Sequence, residues 1–167
     1  MVEHMWRAIE EGEFASVQAL APPGFDFRAA LHPEFQCTPL QMAIDRMVNV
    51  ESKEEAEKTF EMIEWLLNRG ADPLACAPDS CYHEIIVMLN GKDNSQISVE
   101  CSKHSAISLI IDLKLAMKEK MQMKKDHEDD EDWNFDWGDD QMTLTRLSDL
   151  LCAKVCTCGA CAPSALS

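Results

Sequence analysis

The stretch from Ile63 to Pro73, IEWLLNRGADP, constrains the fold more than any other part of the chain. An apolar helical run stops on Asn68-Arg69-Gly70. Gly70 permits the left-handed backbone that ends a helix. Asp72 can hydrogen-bond local backbone in the turn, and Pro73 bars the helix from continuing. A shorter version of this punctuation, Gly24-Phe25-Asp26-Phe27, follows another short amphipathic segment. A helix stop that recurs calls for a repeat to be sought before a catalytic centre.

Apolar periodicity supplies the units. Met5, Ala8 and Ile9 share one helical face; after Gly12, Phe14, Val17 and Leu20 share another, ended by Pro22-Pro23-Gly24. This predicts a helix pair over 3–20. Thr38 suits an N-cap and Pro39 the first helical position. Leu40, Ala43, Ile44 and Met47 form the stripe that follows. The charged run ESKEEAEK then precedes a helix with Phe60, Ile63, Leu66 and Leu67 inward, which gives a second pair over 38–69. A third pair is predicted over 104–152. Its first helix carries Lys114, Lys118, Lys120, Lys124 and Lys125 toward the C-terminal end, where cations complement the macrodipole. Its second has Leu144, Leu147, Leu150 and Leu151 inward. Between the second and third pairs, Ile97, Val99 and Cys101 alternate with Ser98 and Glu100, and Asn90-Gly91 is a turn signal. Residues 84–101 are therefore expected to form one long β-hairpin. The acidic insert 126–140 is expected to be non-helical, and 156–167 a flexible tail with cysteines.

These residues resemble the ankyrin-repeat family. Its opening motif, Thr-Pro-Leu-His-x-Ala, is matched by Thr38, Pro39, Leu40, Gln41, Met42 and Ala43. Its closing motif is matched by Ile63, Leu66, Leu67, Gly70, Ala71, Asp72 and Pro73. Ala8, Gly12, Val17, Leu20 and Gly24 look like an N-terminal capping repeat, and a third repeat would start at Ser105-Ala106-Ile107. Two positions depart from the pattern. Gln41 stands where the family has a His that often ties neighbouring loops, and Ile110 where it has a small Ala. Gly24 and Gly70 also lie farther apart than the roughly 33-residue ankyrin period, so the reading requires inserted residues. The resemblance implies an all-α repeat, an ankyrin-like helix-turn-helix solenoid with one long inserted β-hairpin, over a single domain spanning 1–155.

The formal net charge of −15 sets the class of partner. So acidic a chain repels phosphate backbones and anionic membranes, so neither nucleic acid nor membrane insertion is expected. MVEHMWRAIEEGEF lacks a basic stretch followed by an apolar one, so a reducing compartment, cytoplasm or nucleus, is expected. The eight cysteines then read as thiols or metal ligands rather than a disulfide framework.

Several residue sets could carry chemistry. Cys76, Cys81 and His83 precede the hairpin, and Cys101 and His104 follow it, so a zinc site at its base is geometrically possible. The alternative is cysteines buried as small apolar side chains. Cys152, Cys156, Cys158 and Cys161 could bind a soft metal or belong to an incidental tail. Asp130, Asp132, Asn134 and Asp136 alternate like calcium ligands, but Phe135 and Gln141 stand where an EF-hand loop needs Gly and Glu. Trp133, Phe135 and Trp137, set among acids, read either as anchors for a partner or as rings packed back on the chain's own helices. Ile85, Val87, Leu89 and Ile97 either pair with another chain by strand addition or cover the end of their own fold. No nucleotide-binding glycine loop, GxSxG or HExxH is found.

The sequence therefore predicts a non-enzymatic adaptor or complex subunit with no cofactor and no small-molecule substrate. It would bind a protein of basic surface through the hairpin, around Asn90, Lys92, Asp93 and Asn94, and through Trp133, Phe135 and Trp137. The alternative is a zinc-binding protein using the hairpin-base or tail cysteines.

Overall fold

A computed structural model describes residues 2–50, 52–88, 96–126 and 138–155. Among them are six helices, α1 (Val2–Glu11), α2 (Phe14–Leu20), α3 (Pro39–Asn49), α4 (Lys53–Asn68), α5 (Ala106–Asp126) and α6 (Gly138–Val155). They also hold one antiparallel hairpin, β1 (Glu84–Met88) with β2 (Gln96–Glu100). The chain among these residues is mostly helical.

Each well-defined helix end has a cause in the sequence. The Thr38 hydroxyl accepts from Gln41 N while the Gln41 side chain accepts from Thr38 N, a reciprocal capping box, and Pro39 follows. At the end of α4, Gly70 N donates to Leu67 O and Ala71 N to Leu66 O, the paired closure of a Schellman motif. Gly70 supplies the positive φ of 100° that this closure requires.

The geometry of residues 24–41 returns at 70–108. Gly24 also has a positive φ, 80°. Asp26 Oδ1 accepts from Arg28 N at 2.9 Å, and Asp72 Oδ1 accepts from Leu74 N at 2.9 Å. His32 N donates to Cys37 O, and Gln36 N to His32 O; likewise Ala77 N donates to His104 O, and Lys103 N to Ala77 O. Gln36 and Lys103, at φ of 61° and 62°, are the positive-φ non-glycine residues among those described. Each is followed two residues on by a cap: Ser105 and Ser108 exchange the same reciprocal bonds as Thr38 and Gln41. The first copy closes around the short turn 33–35. The second closes around 78–102, so the long hairpin occupies the place of that turn.

α3 is the central element. It packs on α1, α4, α5, α6 and β1, while β2 packs on α5. Leu40, Ala43, Ile44 and Met47 are all buried, as are Met5, Ala8 and Ile9, and Ile63, Leu66 and Leu67. The predicted stripe of the last helix is buried at Leu144, Leu147 and Leu151, with Leu150 partly so. Arginines join neighbouring pairs: Arg46 donates to Glu10 O at the end of α1, Arg69 to Ala21 O beyond α2, and Arg28 bonds Asp72 across the two glycine turns.

Two expectations are corrected, and one open alternative is decided. The charged run ESKEEAEK does not precede its helix: from Lys53 onward it forms the first turns of α4. Ser52 caps them by accepting from Glu55 N, acids occupy the first turn, and Lys58 pairs with Glu54. The acidic insert is shorter than read, because α5 continues through Asp126 and α6 starts at Gly138. The apolar face of the hairpin is committed to the protein's own core: Ile85, Val87 and Ile97 are buried, with β1 against α3 and β2 against α5. Leu89 lies outside the described residues.

Candidate functional site

The proposed zinc ligands separate at the base of the hairpin. Cys76 is exposed, with its sulfur toward Leu74 O, whereas Cys81 and Cys101 are buried. His83 Nε2 lies 2.9 Å from the Asp45 carboxylate on α3. His104 instead faces Ser108 and Asp112 on α5, at 3.1 and 3.4 Å. Among the described residues no three His, Cys, Asp or Glu side chains are arranged to hold a metal ion.

Cys37, which the sequence did not single out, belongs with the buried thiols. It is fully enclosed, and burial together with the neighbouring Cys101 and Cys81 pushes its pKa far up. Burial likewise raises Cys101 to about 12, and raises Cys81. A thiol must lose its proton to act as nucleophile or metal ligand. These three therefore sit as neutral, small apolar side chains between the turn 32–37 and the hairpin. No linear spacing signals Cys37; it reaches Cys101 only because the two turns close side by side.

The same turns carry an aromatic ladder that the sequence also concealed. His32 stacks on Phe35, with ring centroids 4.6 Å apart, and meets the Trp6 edge at 5.1 Å. Phe35 in turn reaches Tyr82 at 5.7 Å and His83 at 5.2 Å. The short turn and the base of the long hairpin thus share an edge. Tyr82 is 63% exposed and Ile86 38% exposed, both of the outward parity opposite to buried Ile85 and Val87.

Two grooves flank α6. One, of about 980 Å³, runs between α6 and the start of α4 and is floored by Phe60. Arg146 covers Phe60, its guanidinium 3.7 Å from the ring, and grips the Glu57 carboxylate with two bonds. The other, of about 560 Å³, lies between α5 and α6.

Several predicted site residues lie outside the described residues: Asn90, Lys92, Asp93, Asn94, Trp133, Phe135, Trp137, the alternating Asp130, Asp132, Asn134 and Asp136, and Cys156, Cys158 and Cys161. Cys152 is exposed on α6. Among the described residues no helix is long and apolar enough to cross a membrane. No protein-family model, curated protein or solved structure matches the chain.

Proposed function

We propose that the chain is a short ankyrin-like stack of helix pairs that binds a protein partner, as an adaptor or complex subunit. The observation that carries this reading is the duplicated turn-and-cap geometry of 24–41 and 70–108. Two copies of one unit laid side by side present their turns on a common edge, and an edge suits a partner surface better than a small molecule. Phe35 of the short turn against Tyr82 of the long one is consistent with that. Position 41 supports the family likeness. Gln41 is fully buried and its amide donates to the carbonyls of His104 at 2.8 Å and Cys101 at 3.4 Å, so it joins neighbouring turns as the family His would.

Charge complementarity favours a partner with a basic surface, since the chain carries −15. Tyr82 offers a ring face to an arginine or lysine. Two measurements test the reading. The first is affinity capture from native lysate with the wild type, Tyr82→Ala, and chains whose residues 90–94 or 133–137 are replaced by Gly/Ser. A stoichiometric basic partner lost on at least one replacement supports it; no stoichiometric partner overturns it. The second compares Gln41→His with Gln41→Ala by urea denaturation. The reading expects His to retain most of the stability that Ala loses.

A further inference from the structure

α5 carries two apolar stripes, and the described residues of the core cover one. Ala106, Leu109, Ile110, Leu113 and Met117 are buried against the core. Ile111 and Leu115, one turn apart on the adjoining face, remain 49% and 53% exposed. They line the 560 Å³ groove with Met121, while α6 contributes Leu144 to its opposite wall. A helix apolar on more than one face is normally covered on each. The volume falls in the range that holds ligand-sized groups, roughly 300–1,000 Å³.

Among the described residues, the groove's lining is opposite in charge to the chain. Lys114 and Lys118 stand four residues apart along it, and no carboxylate is among its described lining residues, in a chain with 30 acidic and 15 basic side chains. Lysine stems cover apolar surface while their ammonium groups stay at the rim. A basic segment entering here would meet two like charges. A purely apolar one would strip water from both ammonium groups and give nothing back. Carboxylates beside apolar anchors satisfy both parts of the wall.

We infer that the α5–α6 groove docks a short acidic, aromatic-bearing segment of a partner protein, its rings on Ile111, Leu115 and Met121 and its carboxylates on Lys114 and Lys118. This surface is distinct from the hairpin edge and stands independently of the basic partner placed there. The chain's overall negative field opposes such a segment at long range, so the contact depends on the apolar anchors as well as on the lysine pair.

The test uses the full chain and fluorescence anisotropy with two labelled synthetic probes. One is the acidic–aromatic peptide HEDDEDWNFDW; the other replaces each of its acids with lysine. Saturable binding of the acidic probe is expected, weakened roughly tenfold or more by Lys114→Glu with Lys118→Glu and by Leu115→Ser. Tyr82→Ala should leave it unchanged, and far-UV circular dichroism verifies that each variant folds. Four results would overturn the inference. The first is no binding of the acidic probe, and the second is equal or tighter binding of the lysine probe at this groove. The third is binding that appears only when residues 127–137 are replaced by Gly/Ser, which makes the chain's own segment the occupant. The fourth is a Leu115-dependent dimer without probe binding, which makes it a second copy. None of these bears on capture through the hairpin edge.

Discussion

His32 shows how one side chain can couple a turn to pH. Its Nδ1 accepts from Glu34 N at 3.1 Å and Phe35 N at 3.0 Å, which requires the tautomer protonated on Nε2. A proton on Nδ1 removes both bonds at once. Burial, aided by His83, lowers the His32 pKa below its ordinary value of 6.5; Glu10, 3.6 Å from Nε2, and Glu34 oppose this without overcoming it. The folded chain then binds this proton less readily than the unfolded one. The stabilisation is full above pH ~6.5 and declines as pH falls through that value toward the lower folded pKa. Urea midpoints at pH 7.5 and 5.5 should fall with acidity in the wild type. The fall should be smaller in His32→Asn, whose amide oxygen can accept the same N–H groups without titrating; equal slopes would remove His32 from the account. Gly70 offers a simpler contrast. A Cβ there meets nothing within 4 Å, so Gly70→Ala is opposed by backbone conformation alone, at about 1–2 kcal/mol of unfolding free energy.

At the level of elements, the sequence revealed most where a pattern has a period or a cap. The stripes of α1, α3 and α6, the N-cap at Thr38 and the in–out alternation of β2 were all readable because each depends on near neighbours. What it concealed is set by distance. Ser52 and the strong helix formers that follow extend α4 backward through a charged run whose lack of an apolar stripe set it before the helix. Which body the hairpin's apolar face would meet was undecidable from alternation, since a partner and the chain's own α3 present the same kind of surface. That placement predicts an asymmetry. Ile97→Ala should lose about 2–5 kcal/mol, as for other buried aliphatic truncations. Ile86→Ala, on the outward side, should stay within about 1 kcal/mol. Similar losses at both positions would contradict a hairpin packed by one face. Ser52→Ala should remove about 1 kcal/mol, read most directly as faster amide exchange in the first turns of α4. The thiol cluster and the aromatic ladder, by contrast, join residues far apart in sequence, from Trp6 to Cys101, and no spacing rule could have assembled them.

Across the whole molecule, scarce cations are concentrated where units meet. Arg28, Arg46 and Arg69 bridge the first two helix pairs, and Arg146 and Lys154 join α6 to Glu57 and Asn68 on α4. Acids outnumber bases 30 to 15, so acids dominate the charge of the chain. Salt then acts in two directions. It screens the exposed bridges, which contribute little in water. It also screens the mutual repulsion of a chain at −15, a term that grows with net charge and is spread over the whole surface. Repulsion involves many more pairs than the few bridges, so it should prevail. The melting temperature is expected to rise by a few degrees between roughly 20 and 300 mM sodium chloride. Arg146→Gln should lower the melting temperature at both concentrations and widen the gain on adding salt, because it makes the net charge more negative. A melting temperature that falls with salt would instead show that the inter-unit bridges, rather than general repulsion, dominate the electrostatics of the fold.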